Sequence, residues 1–103
     1  AGVVTTIAGG PSQTQLLNFP TVIVLDKDGN IFIVDETGRI MVCTANSVLY
    51  VLAGASGTTG FTNGDGATAL FNNPQSIAVD ANGNLYVADQ NNNAIRKLTV
   101  VKK

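Results

Sequence analysis

Pro20-Thr21-Val22-Ile23-Val24-Leu25-Asp26-Lys27-Asp28-Gly29-Asn30-Ile31-Phe32-Ile33-Val34-Asp35 is answered, 54 positions later, by Pro74-Gln75-Ser76-Ile77-Ala78-Val79-Asp80-Ala81-Asn82-Gly83-Asn84-Leu85-Tyr86-Val87-Ala88-Asp89. The proline, the first aspartate, the Gly-Asn pair and the closing aspartate all recur in register, which makes this chain a pair of repeats. After a single-residue gap, residues 40–44 match 95–99. Upstream, residues 3–9 (Val-Val-Thr-Thr-Ile-Ala-Gly) match 48–54 (Val-Leu-Tyr-Val-Leu-Ala-Gly).

Each unit is made of short runs rich in Val, Ile, Leu and Tyr, bounded by Gly, Asn and Asp, and nowhere does an apolar period of 3.6 persist for several turns. The expectation is therefore all-β, with no helix. Four strands are read per unit: a at 21–26 and 76–80, b at 31–35 and 85–89, c at 39–44 and 94–100, and d at 3–8 and 48–53. Asp28-Gly29 and Asn82-Gly83 separate a from b and favour the positive torsions of a tight hairpin. The almost unbroken apolar character of a and b predicts burial on both faces, whereas Ile95-Arg96-Lys97-Leu98 alternates and predicts a half-exposed strand. On this reading a and b are inner strands and c and d outer ones.

With 103 residues the chain is one small domain, and its longest apolar runs are far too short to span a bilayer. No basic and apolar leader opens the sequence, so the expectation is a protein without a membrane partner. Six Lys/Arg against seven Asp/Glu offer no cationic surface for a phosphate backbone, which argues against nucleic acid as a partner. The absence of histidine removes the commonest metal ligand and general base, and the single cysteine, Cys43, reads as a small core hydrophobe. No cofactor, metal or catalytic residue is expected. The low charge and abundance of Asn and Thr fit an extracellular or periplasmic protein slightly better than a cytoplasmic one, and leave the compartment open.

Val4-Thr5-Thr6-Ile7-Ala8-Gly9, then Asn63-Gly64-Asp65-Gly66-Ala67-Thr68-Ala69-Leu70-Phe71-Asn72-Asn73-Pro74 leading into Ile77-Ala78-Val79-Asp80, Gly83 to Asp89 and Ile95-Arg96-Lys97, closely resembles the NHL repeat. The resemblance is strong in the second unit and diluted in the first, which lacks the Asp-Gly loop before its proline. It implies a β-propeller, usually six-bladed, with each blade a four-stranded antiparallel meander. The chain then reads as one two-bladed segment, 1–103: a closing strand at 3–8 (Val3 to Ala8), blade one at 20–54, and blade two at 74–101 lacking its outer strand. Propellers of this phase close when the N-terminal strand completes the last blade. Two blades cannot close on themselves, so the predicted partner is the chain itself, in a head-to-tail homo-oligomer. A trimer would supply six blades, a tetramer eight.

The function implied is a non-enzymatic binding or scaffold module completed by strand exchange between subunits. In a propeller the d-to-a and b-to-c loops share one face, here rich in Asn, Asp, Gly, Gln and Thr. The candidate ligand residues are Asp35, Glu36, Phe61, Asn63, Asp65, Asp89, Gln90, Asn91 and Asn92. Amides and carboxylates beside one aromatic suit a glycan, so a multivalent carbohydrate-binding lectin is the alternative; a protein ligand is the other candidate. Each motif also has a plainer reading. Asp35 and Asp89, as in NHL-like repeats, fix turns; Asp65 bonds its own loop; Asp26 to Asn30 is a hairpin and not a calcium loop, because Gly29 stands fourth where an EF-hand needs its glycine sixth. Tyr50 and Tyr86 are packing residues, and Arg96 and Lys97 serve solvation or a salt bridge between blades.

Overall fold

The computed structural model describes residues 1–9, 17, 20–55, 59–64 and 69–99. Among the described residues, seven strands form two antiparallel sheets. The first is β1 (Pro20–Leu25), β2 (Ile31–Asp35), β3 (Arg39–Cys43) and β4 (Leu49–Gly54), paired in chain order; the second is β5 (Pro74–Val79), β6 (Leu85–Asp89) and β7 (Ala94–Leu98). The only helical turn among the described residues is a three-residue 3-10 turn at Gln90–Asn92.

The repeat is visible in the ladders. Val24 faces Phe32 and Leu25 faces Ile31 in the first sheet, just as Ala78 faces Tyr86 and Val79 faces Leu85 in the second. Both β1–β2 and β5–β6 carry an irregularity just after their proline, which cannot donate to a ladder. The connecting hairpins are also equivalent: Gly29 donates to the Asp26 carbonyl and Gly83 to that of Asp80. Only the glycines take positive φ there, +87° and +85°. Asp28 and Asn82 do not, so the turn is the longer loop closed by one left-handed glycine and not a two-residue turn. The cause is the aspartate at the loop's start, whose Oδ1 accepts the backbone N–H groups two and four residues on, at 2.9 Å in every case.

The two sheets pack face to face, with β5 against β1 and β2. Phe32, Val34, Ile40, Val42 and Ala53 of the first sheet, with Val22 and Val24, meet Ile77, Leu85 and Val87 of the second, and Phe71 joins them. The alternate residues of the first sheet, Ile33, Met41 and Cys43, form a second cluster on its opposite face, covered by Ala8 and Leu17. Burial therefore differs from the inner-and-outer expectation. β2 and β3 are equally buried, while Ile23 and Leu25 of β1 remain exposed at 59% and 55%. Burial on both faces needs a neighbour on both faces, and among the described residues each sheet has a partner sheet on one side only.

Residues 3–8 form no ladder with either sheet; Val3, Val4 and Ile7 are exposed. β7 ends at Leu98, and Val100, which the sequence reading included in that strand, lies outside the described residues. Cys43 is buried, as read.

Candidate functional site

Two aspartates at the same repeat position end β2 and β6, and both are completely buried. A buried carboxylate is costly unless charge and hydrogen bonds answer it. In the first sheet, the answer among the described residues comes from the same hairpin. Asp35 stands opposite Arg39 across the β2–β3 hairpin; its Oδ2 pairs with the Arg39 guanidinium, and its Oδ1 accepts the Thr37 backbone N–H at 2.9 Å. The turn is closed by the Gly38 N–H on the Asp35 carbonyl, 3.0 Å.

In the second sheet the arginine enters from β7. Arg96 lies opposite Val87 in the ladder, and its Nη1 reaches Asp89 Oδ2 at 2.8 Å. The same guanidinium donates to the Leu70 carbonyl (3.0 Å), the Thr62 carbonyl (2.9 Å) and Asn63 Oδ1 (2.8 Å). Its carbon lies 4.7 Å from the Phe61 ring centroid and 5.2 Å from that of Phe71, so an aromatic ring accompanies the cation on each of two contacts. Asp89 Oδ1 accepts the Asn72 N–H at 2.7 Å, and Asn92 Nδ2 bridges Asp89 Oδ2 (2.8 Å) and the Gly60 carbonyl (2.7 Å). A planar group with five donors suits this task, because one side chain satisfies a carboxylate and several loop carbonyls together. Among the described residues every buried side-chain nitrogen and oxygen has a partner.

The structure thus gathers Phe61, Asn63, Asp89, Gln90, Asn91 and Asn92 around the segment that precedes β5. Gln90 Oε1 accepts from Asn73 Nδ2 at 3.0 Å, and Asn91 donates through its backbone to the Asn72 carbonyl at 3.1 Å. Asp35 and Glu36 belong to the first sheet's hairpin, where Glu36 is exposed. Asp65 lies outside the described residues. Asp35 and Asp89 have the turn-fixing contacts of the plainer reading. Arg96 corrects the sequence reading: it is 8% exposed and its ion pair lies within its own sheet, not between sheets or in solvent. The sequence signal was an arginine at the place in strand c where the first unit has Met41, an apolar position of the repeat. Asn72 and Asn73, present in the quoted motif but not among the candidate residues, connect the loop to Gln90–Asn92.

At the opposite ends of the strands, the β1–β2 and β5–β6 hairpins flank a shallow cleft of about 90 Å³ lined by Leu25, Asp26, Lys27, Asp28, Val79, Asp80, Ala81 and Gly83. Asp80 is held below the ordinary carboxylate value, first by the Asn84 backbone N–H and then by the Tyr86 hydroxyl, which donates to Oδ2 at 3.0 Å. That hydrogen bond raises the Tyr86 phenol above its ordinary value of 10.0. Among the described residues no group of three or more Cys, Asp or Glu is placed to hold a metal ion.

These features concentrate in one stretch of chain. Residues 71–98 match the family model of the NHL repeat. The matched segment contains all three strands of the second sheet, Asn72 and Asn73, and both members of the Asp89–Arg96 pair. No curated protein matches the chain.

Proposed function

We propose that the chain is a non-catalytic binding or scaffold module of the β-propeller type, assembled from copies of itself into a ring, a trimer by preference, and completed by strand exchange between subunits. The observation that carries this reading is the pair of repeat-related sheets stacked through one face each, with the opposite face of each sheet holding exposed apolar residues: Ile23, Leu25 and Val51 on the first, Ile95 on the second. Exposed apolar residues on the unstacked faces fit an interaction with further copies. The NHL match supports a propeller blade. The carboxylates at the strand ends support a structural and not a chemical role, since Asp35 and Asp89 are committed to guanidinium and amide donors.

Light scattering behind a sizing column tests the reading. Three times the 10.6 kDa chain mass is expected. A protein that stays at the mass of one chain at all concentrations overturns it.

A lectin activity is a second reading, favoured by Phe61, an exposed aromatic residue whose ring lies against Arg96, which also bonds Asn63. Agglutination reversed by free sugar is its expected signature, and an empty broad glycan array removes it.

A further inference from the structure

We infer that the outer edge of β7 and the outer face of the second sheet form one docking surface for a second copy of this chain, which lays its residues 4–9 along β7 in a defined register. The inference rests on the ring assembly proposed above and specifies its contact.

The register comes from the molecule's own repeat. In the first sheet β3 pairs with β4 as Arg39–Gly54, Ile40–Ala53, Met41–Val51, Val42–Tyr50 and Cys43–Leu49, with an irregularity that skips Leu52. Residues 94–98 are the repeat equivalents of 39–43, and residues 4–9 those of 49–54. Transferred to the second sheet, the ladder pairs Ala94 with Gly9, Ile95 with Ala8, Arg96 with Thr6, Lys97 with Thr5 and Leu98 with Val4, and skips Ile7. Backbone geometry supports the equivalence. Gly9 and Gly54 both take positive φ, +79° and +87°, a conformation that alanine and larger residues resist. Among the described residues β7 has no neighbour on its outer side, and an unpaired edge is a template for another strand.

Residues 3–8 of the same chain are on the wrong side to serve. Ala8 packs on Ile33, Met41 and Cys43, whereas the second sheet packs on the opposite face, through Phe32, Val34 and Val42. The first sheet stands between that strand and the edge, so residues 3–8 of the same molecule do not fill it.

The faces agree with the edges. Ile77 and Leu85, which the second sheet buries against the first, are the repeat equivalents of Ile23 and Ile31 on the first sheet's outer face. Ile95, 73% exposed, is the equivalent of Ile40, which is fully buried. A second copy that sets its first sheet's outer face over the Ala78–Tyr86–Ala88–Ile95 side therefore repeats a contact the chain already makes internally. Such a contact joins unlike patches, so it propagates around a ring.

Mixing a Val4→Cys chain with a Leu98→Cys chain under oxidising conditions tests the register. A cysteine at 98 reproduces the residue that the first sheet has at 43, so the strand should accept it. A covalent dimer is expected from this pair and not from Thr5→Cys with Leu98→Cys, because neighbouring residues of a strand point to opposite faces. In the unmodified protein, amides of residues 4–8 should exchange slowly at high concentration and lose that protection on dilution. A ring by light scattering with no Val4–Leu98 bond and no such protection overturns this register while leaving the assembly; a single-chain mass without a bond overturns both.

Discussion

In the first sheet the buried acid is met by an arginine directly opposite it, four residues along the same hairpin; in the second, the arginine stands two residues deeper in the neighbouring strand. The shift alters what the pair holds. Asp35 and Arg39 close a turn already formed by adjacent residues. Arg96 joins Asp89 to carbonyls 26 and 34 positions earlier in the chain, so the second sheet has a loop built into it. Among the described residues, the same acid at the same repeat position joins a hairpin in one sheet and a tertiary network in the other, and the place of the cation differs between them.

Replacing each arginine with methionine, the residue at position 41, is the most severe test of that difference. Arg96→Met removes the counter-charge of a fully buried carboxylate, which keeps only the Asn72 and Asn92 amides, together with the guanidinium's bonds to the Leu70 and Thr62 carbonyls and Asn63, and should cost about 3–5 kcal/mol in urea denaturation. Arg39→Met, whose carboxylate keeps the Thr37 amide, should cost about 1–3 kcal/mol. Equal losses would mean that the loop contributes nothing to what Arg96 stabilises, and the contrast between the sheets would fall.

A second contrast lies between the two left-handed glycines. A methyl group at Gly54 would drive into the Gly38 carbonyl oxygen and crowd the Phe71 ring at 3.1 Å, whereas at Gly9 it meets only the Leu17 side chain, at 3.0 Å. A flexible side chain can move more readily than the backbone carbonyl of a closed hairpin turn. Gly54→Ala should therefore cost more than about 2 kcal/mol, and Gly9→Ala about 1–2 kcal/mol, the ordinary penalty of a left-handed alanine. In the proposed ring the Gly9 variant should lose association as well, because its methyl group would face the carbonyl of Asn93, the repeat equivalent of Gly38. Unchanged association in Gly9→Ala would break the equivalence of the two glycines.

Much of this could be read from the residues, and what could not has a common cause. The b strands at 31–35 and 85–89 were bounded on both sides by turn residues, and β2 and β6 have those limits. The resemblance that rested on the second unit coincides with the NHL match at 71–98. The burial of β1 was not legible, because Ile23 and Leu25 are as apolar as Val22 and Val24, and only the placement of the other sheet decides which pair is covered. Arg96 was misread for the same reason. Its sequence neighbours are exposed strand residues, and its partners at Thr62, Leu70 and Asp89 come together only in the fold. Of the candidate ligand residues, the sequence located the group at 61–63 and 89–92 but could not show how many of its polar atoms bond to each other. Local pattern specifies strands and turns; who covers a face is a long-range property.

The smallest effect concerns the hairpin aspartates, where the sheets differ by one hydroxyl. Asp26 Oδ2 accepts from Asn30 Nδ2 at 2.9 Å, whereas Asp80 Oδ2 accepts from Tyr86, whose place in the first sheet is taken by Phe32. Tyr86→Phe makes the second sheet resemble the first. Asp80's carboxyl is depressed in the folded state, so its contribution to stability is present above the unfolded value and is lost as pH falls through the folded one, below about pH 4. The phenol is raised, so its contribution is complete below its ordinary value and is lost as pH rises beyond it. Removing the hydroxyl should move the Asp80 titration upwards by a fraction of its depression, since the backbone N–H groups of Asn84 and Asn82 remain. The acid limb of the stability curve should become correspondingly shallower and the alkaline loss due to Tyr86 should vanish. Carboxyl NMR titration of the two proteins measures the first effect directly. An Asp80 titration that does not move would show that the hydroxyl is turned away from it in solution, and the two hairpins would then be alike in everything except their sequence.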